Sequence, residues 1–328
     1  MTPLLQVKDL QVTFNVPKRG AWPWTAPHKL QAVQSVSFDL KAGETLGIVG
    51  ESGSGKSTLA RAIVGTVAAS GGQVLWQGQD LLTLTGDARR AQRRDVQMIF
   101  QDPLAALNPR MPVGEIIAEP LVTHQPGLAK ADVKARVRDI MDRVGLLSNQ
   151  LNRYPHEFSG GQCQRIGIAR ALILQPKLVV CDEPVSALDV SIQAQVVNLL
   201  ADLQRDMGLS LIFIAHDLSV VKHISDRIMV MYLGRHMEVA EAKDLIRTPK
   251  HPYTKALIAS VPIPDPVTEK ARPRVVLEGD LPSPLRPPSG CAFRTRCPVA
   301  RPDCADAVPS LLAISATHDV ACPYWNAD

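Results

Sequence analysis

The segment from Gly50 to Ser57 constrains the fold of this chain more than any other feature. It reads Gly-Glu-Ser-Gly-Ser-Gly-Lys-Ser, which fits the pattern G-x-x-x-x-G-K-[ST]. A buried-strand pattern, 44–49, precedes it, and a helical pattern from about Ser57 to Val67 follows. In this context the glycines let backbone N–H groups face a phosphate, and the helix N-terminus adds partial positive charge. The segment therefore predicts a phosphate-binding loop at the end of a strand in an α/β protein.

The side chains of this loop predict nucleotide chemistry. We expect Lys56 to bridge the β- and γ-phosphates of a nucleotide and the Ser57 hydroxyl to bind Mg²⁺. A chance glycine-rich turn is the alternative, but it would not account for the strand, the helix and the Lys-Ser pair together. The predicted nucleotide-binding residues of the loop are Gly50, Glu51, Ser52, Gly53, Ser54, Gly55, Lys56, Ser57 and Thr58.

Two acidic residues end another apolar strand pattern. The run 178–181 is followed directly by Asp182 and Glu183. Because ligands bind outside the carboxyl ends of parallel strands, we expect both acids at the nucleotide site. Asp182 fits the Mg²⁺ ligand, and Glu183 fits the catalytic group that orients or deprotonates the attacking water.

Two single polar residues follow further strand patterns. The run 209–215 ends at His216, and the run 96–100 ends at Gln101. His216 could contact the γ-phosphate and hold the water in line, and Gln101 could reach Mg²⁺ or that water. Each residue taken alone is more typical of a solvated surface. The convergence of strand ends on one site favours the catalytic interpretation.

Composition bounds the class of protein. The chain has 328 residues, of which 45% are hydrophobic and 21% charged, enough for one large domain and a smaller one. The net charge of +4 is mild, which disfavours a nucleic-acid partner. We find no apolar run of membrane-spanning length and no signal-peptide pattern at the first residues. These observations predict a cytosolic protein whose membrane association, if any, comes through a partner.

The motif order resembles one family of ATPases. Phe158-Ser159-Gly160-Gly161-Gln162 resembles the signature of ABC ATPases, a motif that is absent from ordinary P-loop kinases and GTPases. The order of phosphate loop, Gln101, signature, Asp182-Glu183, Ser186-Ala187-Leu188-Asp189 and His216 is that of the same family. The resemblance implies an α/β P-loop NTPase (RecA-like) ABC nucleotide-binding domain at 1–245, with an antiparallel β subdomain and a helical subdomain at about 102–165.

The resemblance also implies how a second ATPase takes part. Ser159, Gly160, Gly161 and Gln162 would open a helix, which in the family closes on the γ-phosphate held by the other subunit. Asp189 would then lie at the seam between the two subunits. Phe14 matches the position whose ring stacks on adenine, although a core or edge phenylalanine is the alternative. ATP and Mg²⁺ are the implied cofactors.

The C-terminal part narrows the resemblance. Proline becomes frequent after about Leu245, which predicts a second domain at 246–328. His251-Pro252-Tyr253-Thr254 and 281–291 resemble the C-terminal region of oligopeptide and dipeptide importer ATPases. The insertion at 17–29 and the run 57–61 look like the second ATPase of the pair, the DppF/OppF type. The chain is thereby identified as an ATPase subunit on the cytoplasmic face of the bacterial inner membrane.

This family resemblance implies several partner proteins, and two other functions remain as alternatives. The partners are two permease subunits, an external solute-binding protein, and either a paralogous second ATPase or a copy of this chain. A soluble ABC ATPase usually carries two cassettes or a long coiled coil, which this chain lacks. An exporter ATPase is disfavoured by the importer-like C-terminal region. The sequence does not identify the solute, which for close relatives includes peptides, nickel chelates and glutathione.

Four cysteines lie in the C-terminal region, with five, six and seventeen residues between them: Cys291, Cys297, Cys304 and Cys322. Four thiolates suit tetrahedral Zn²⁺ or an iron–sulfur cluster, and the missing C-x₂-C pair favours the cluster slightly. Some members of the resembled family hold a [4Fe–4S] cluster here, and Arg294, Arg296 and Arg301 could offset its charge. Four reduced cysteines without metal remain an alternative. Disulfides are disfavoured in a reducing cytosol.

Overall fold

The structure is a computed structural model, and it describes residues 3–18, 20, 22, 25–261 and 279–326. Part of the insertion at 17–29 lies outside these residues. The chain forms two compact units. The first unit comprises 1–5, 40–45 and 76–215, and the second comprises 6–39, 46–75 and 216–328. None of the helices in the described ranges is long and apolar enough to cross a membrane.

The strands alternate with helices along much of the chain, as the α/β pattern predicts. The strands are β1 (Leu5–Val16), β2 (His28–Leu40), β3 (Thr45–Val49), β4 (Gly71–Trp76), β5 (Gln79–Asp80), β6 (Val96–Ile99), β7 (Leu178–Asp182), β8 (Ser210–Ile214), β9 (Arg227–Tyr232), β10 (Arg235–Glu241), β11 (Leu312–Ser315) and β12 (His318–Val320). The helices are α1 (Lys56–Val64), α2 (Gly86–Asp95), α3 (Pro103–Ala106), α4 (Val113–His124), α5 (Lys130–Arg143), α6 (Gly160–Leu172), α7 (Val190–Met207), α8 (Leu218–Ile224), α9 (Ala242–Arg247) and α10 (Pro252–Ser260).

In the second unit, β3 is the strand that leads into the phosphate loop. All five of its residues are buried, and it runs parallel to β9. β9 pairs antiparallel with β10, β10 with β12, and β12 with β11. β2, β1 and β4 are neighbours in a separate sheet, in that order. Helix α1 ends at Val64, earlier than the sequence pattern indicates, because Gly65 takes a left-handed conformation (φ 79°) that stops the helix.

In the first unit, β6, β7 and β8 form consecutive parallel pairs. Every residue of β7 and β8 is buried, which accounts for the continuous apolar runs 178–181 and 211–214 within them. The segment predicted to be helical, about 102–165, contains α3, α4, α5 and the start of α6. Helix α4 packs against both α5 and α6. The structure thus places a parallel-strand layer and a helical cluster in this unit.

The buried carboxylate of Glu238 on β10 forms hydrogen bonds with residues of the C-terminal region. The carboxylate of Glu238 is fully buried and accepts hydrogen bonds from the backbone N–H groups of Lys250 (2.7 Å) and His251 (2.9 Å). His318 Nε2 of β12 lies 2.7 Å from the same carboxylate. Burial alone would raise the pKa of Glu238, but these hydrogen bonds together hold it below its usual value. β12 and the start of α10 are therefore tied to β10 by one charge.

Candidate functional site

The phosphate loop requires glycine at two positions because other backbone atoms approach it closely. A Cβ on Gly50 would lie 2.1 Å from the carbonyl oxygen of Met231, and one on Gly55 would lie 2.2 Å from that of Ala32. Both glycines also have positive φ, 154° and 99°. A side chain at either position would force the backbone apart, so the loop keeps this curl only with glycine.

Lys56 folds back onto the loop that it follows. Its Nζ donates to the carbonyl oxygens of Gly50 (2.7 Å) and Glu51 (3.0 Å) and to Ser54 Oγ (3.3 Å). The side chain is 4% exposed. Helix α1 begins at Lys56, and no side chain caps its first turn. Its N-terminal N–H groups therefore remain suited to an anion.

The second unit also contains two other predicted site residues. His216 and Gly50 line one cavity of about 280 Å³, together with Asp217 and residues of α10. His216 is exposed and lies just before α8, whose N-cap is Asp217. Phe14 lies on β1 and is 37% exposed, so its ring is not a core side chain. The structure thus brings His216 beside the loop and leaves Phe14 accessible.

In the first unit, the acids predicted from the strand end have distinct surroundings. Asp182 is the last residue of β7 and is fully buried. Glu183 is partly exposed and has a left-handed backbone (φ 47°), which is rare for a residue with a side chain. Its carboxylate accepts a hydrogen bond of 3.0 Å from Gln101 Nε2. The sequence predicted both residues but not this bond, which joins positions 82 apart.

The signature forms a capped helix N-terminus in the same unit. Ser159 is the N-cap of α6, and its Oγ accepts from the N–H of Gln162 (3.3 Å). Gln162 Oε1 accepts in return from the N–H of Ser159 (2.9 Å). Gly161 has no room for a side chain, because a Cβ there would lie 2.5 Å from Ile192. Ser159 and Gly160 are exposed, so this helix terminus faces solvent.

A second exposed feature of this unit is the start of α7. Asp189 is its N-cap and is exposed, and Val190 beside it is 84% exposed. The N-terminus of α7 is therefore accessible to solvent.

Sequence reasoning missed the residues that hold Glu51 in the second unit. The guanidinium of Arg296 donates two hydrogen bonds to its carboxylate, Nη1 to Oε2 at 2.8 Å and Nη2 to Oε1 at 3.2 Å. The N–H of Glu51 donates to the hydroxyl of Tyr253 (2.9 Å). The expectation that Arg296 offsets cluster charge therefore needs correction, because Glu51 is its ion-pair partner. A pair 245 positions apart leaves no local sequence signal.

The four C-terminal cysteines line one cavity of about 240 Å³. All four are free thiols, so disulfides are absent among them. Burial raises the pKa of Cys291 and of Cys322, and that of Cys297 to about 11. Within the described ranges no group of three or more His, Cys, Asp or Glu side chains lies close enough together to hold a metal ion. The donor set is thus gathered in one place, but its sulfur atoms are not in a metal-binding arrangement.

Comparison with known proteins agrees with these features. Residues 33–186 match the family described as ABC transporter, and residues 237–304 match the oligopeptide/dipeptide transporter C-terminal region. The chain is 62% identical over 319 residues to the oligopeptide transport ATP-binding protein OppF of Salmonella typhimurium, covering 97% of this chain and 95% of that protein. It is 52% identical over 327 residues to the putative oligopeptide transport ATP-binding protein YkfD of Bacillus subtilis, covering 99% and 97%.

A solved structure supports the fold. The dimeric post-hydrolysis state of the ATP-binding cassette MJ0796, bound to ADP and Pi, matches with a TM-score of 0.64 and 27% identity, over 73% of this chain and 98% of that one. Fold and motifs together define a P-loop ATPase of the ABC class. The identity extends into the C-terminal region as well. The chain belongs to the family of ATP-binding subunits of oligopeptide and dipeptide ABC transporters.

Proposed function

We propose that this chain hydrolyses ATP to drive the import of dipeptides or oligopeptides across the bacterial inner membrane, working at its cytoplasmic face. The OppF relatives are named for oligopeptide transport, and the match to the importer C-terminal region supports import over export. A soluble ABC ATPase is not favoured, because the similarity to transport ATPases runs over 97% of the chain.

The observation that carries the catalytic proposal is the bond between Gln101 and Glu183. The side-chain amide of Gln101 donates to one carboxylate oxygen of Glu183. The backbone of Glu183 is in the left-handed region, which residues other than glycine rarely adopt. Local strain retained at a partly exposed acid is typical of functional sites. Glu183 would activate the attacking water. Gln101 would contact Mg²⁺ or that water, and so couple the nucleotide state to the helices that follow it. His216 would hold the γ-phosphate and the water in line.

ATP and Mg²⁺ would be held by the residues that the motif order assigns. Lys56 would exchange its contacts with the loop for the phosphates, Ser57 and Asp182 would bind Mg²⁺, and Phe14 would stack on adenine. When bound there, Mg²⁺ would supply electrostatic stabilisation of the transferred phosphoryl group. The remaining phosphate contacts would come from the loop backbone between Gly50 and Thr58.

The partners proposed for this chain are those that the family resemblance implies. The signature terminus at Ser159 would close on the nucleotide of a second ATPase, a paralogue or a copy of this chain, with Asp189 at the seam. The helical segment 102–165 would receive a short helix from a permease; here α4 and α5 border a cavity of about 570 Å³ and Val122 is 57% exposed. A solute-binding protein would deliver the peptide from outside.

Co-expression with the cognate permeases tests this function. We expect the chain to sediment with membranes only when the permeases are present, because no described helix is suited to spanning a membrane. Cells that lack their own peptide importer, and that also express the cognate solute-binding protein and second ATPase, should then take up a labelled dipeptide or oligopeptide. Cross-links from permease loops should fall within 102–165. Peptide expulsion instead of uptake would identify an exporter. If the chain stays out of the membrane fraction even when the permeases are present, the result would support a soluble ATPase.

The four cysteines lining the C-terminal cavity are proposed to hold a metal, as a [4Fe–4S] cluster or Zn²⁺. Soft thiolates suit either, and both would staple a segment with little regular structure. The role would be structural, since these cysteines are not among the ATP motifs. The sulfurs would have to move together and lose their protons on binding, which the raised pKa of Cys297 makes strongly pH-dependent.

Metal analysis of protein purified without oxygen tests this proposal. We expect bound iron and sulfide with broad absorption near the visible blue, and loss of both in Cys297→Ser. Cys181→Ala, which removes a thiol from β7, should keep them. Zinc without colour would select the zinc form, and absence of both metals would leave four reduced cysteines.

A further inference from the structure

Glu51 places a negative charge within a loop built to bind phosphates. It is the second residue of the loop, between the sharply turned Gly50 and the N-terminus of α1. The side chain is 27% exposed, so water screens it only in part. An uncompensated carboxylate there would oppose the binding of a polyanion.

Arg296 compensates this charge with favourable geometry. Its two terminal nitrogens each donate to a different carboxylate oxygen of Glu51, which is the bidentate arrangement that binds most strongly. The Arg296 side chain is only 10% exposed, so the pair is shielded from competing water and salt.

Buried aromatic packing holds Arg296 in position. Phe293, three residues earlier, is fully buried, and its carbonyl oxygen accepts the N–H of Arg296 (2.9 Å). Its ring contacts those of Tyr232 and Tyr253, with centroids 5.4 and 5.3 Å apart. Tyr253 also accepts the N–H of Glu51. One aromatic cluster therefore orients both the guanidinium and the loop residue that it binds.

We propose that Arg296 is a positioning residue for nucleotide binding, which acts by neutralising Glu51 and fixing the first turn of the phosphate loop. The C-terminal region thereby sets the ATP affinity of the loop. Arg296 acts through Glu51 and needs no contact with ATP. This inference rests on the proposed role of the loop in binding ATP.

A double-mutant cycle on the full-length chain tests the proposal. We expect Arg296→Ala to weaken equilibrium ATP binding about tenfold, because the uncompensated carboxylate of Glu51 then repels the phosphates across a partly screened distance. In the Glu51→Gln background the same change should have little effect, because no charge is left to neutralise. Equal weakening in both backgrounds, or none in either, would overturn the proposal. Arg286→Ala, an exposed arginine of the same region, is the matched control.

Steady-state kinetics of the assembled transporter separate positioning from general damage. Arg296→Ala should raise KM for ATP and leave kcat nearly unchanged, since Glu183 is untouched. Arg296→Lys should recover part of the affinity, because it restores the charge but not the two-pronged geometry. This variant and Arg296→Gln allow the comparison if Arg296→Ala does not fold. A fall in kcat alone would contradict the proposal.

Lys56→Ala distinguishes failure of this inference from failure of the proposed ATP site. ATP affinity unaffected by Lys56→Ala would remove the loop from nucleotide binding, and the Arg296 proposal with it. Affinity lost in Lys56→Ala but retained in Arg296→Ala would remove only the role of Arg296.

Discussion

Glu183→Gln is expected to lower ATP turnover about a thousandfold while ATP binding is retained, because general-base assistance contributes roughly 10²–10⁴ in rate. Glutamine has the same shape and still accepts the hydrogen bond from Gln101, but it cannot take a proton from water. With hydrolysis blocked and ATP bound, the closed form of two ATPase subunits should accumulate. The measurements are phosphate release and, with ATP present, the mass of the complex in solution.

The matched control for this change is Glu241→Gln. Glu241 is exposed at the N-cap of α9 and has no proposed part in the ATP site. Its turnover should equal that of the unmodified chain. Normal turnover in Glu183→Gln would remove the catalytic role of Glu183. Lost ATP binding in this variant would show damage to the site rather than loss of the base.

Lys56→Ala is expected to weaken ATP binding roughly 100-fold, since a hydrogen bond to a charged group contributes about 1.5–3 kcal/mol and Lys56 would make more than one. Unlike Glu183→Gln, this variant should fail before the chemical step. Without nucleotide it should also lose some stability, because three bonds from Nζ hold the loop in its curl. Equilibrium ATP binding and the thermal midpoint without ATP measure the two effects.

Lys243→Ala is the control for this second change, because Lys243 is an exposed lysine of α9. Both its ATP affinity and its thermal midpoint should match those of the unmodified chain. If ATP affinity in Lys56→Ala stays within about twofold of normal, Lys56 has no phosphate role, because a twofold change is smaller than the contribution of one ordinary hydrogen bond.

Much of the fold was predictable because its signals are local. The runs that form β3, β7 and β8 are mostly apolar segments of strand length, and the glycine spacing predicted the phosphate loop between β3 and α1. The ends of helices were less predictable. Helix α1 stops before Gly65 because that residue adopts a left-handed backbone conformation, which the spacing of apolar residues does not reveal.

Contacts between distant residues were not predictable from one sequence. The C-terminal region showed few apolar residues and no strand pattern, yet β11 and β12 form there because β10 offers an edge for pairing. The pairing of Gln101 with Glu183 likewise depends on two strand ends meeting in space. Motif order predicts the residues of the site, and the structure adds the contact between Gln101 and Glu183. The domain boundary near Leu245 stays a prediction.

The ion pair between Glu51 and Arg296 joins two residues that the ribosome adds at different times. At roughly 5–20 residues per second, about 12–50 s of synthesis separate the two residues, since 245 positions lie between them. During that interval the growing chain carries the complete phosphate loop with Glu51 still lacking its guanidinium. A nascent subunit would therefore compete poorly for cellular ATP, and the loop would mature only once the segment around Phe293 has left the ribosome and packed.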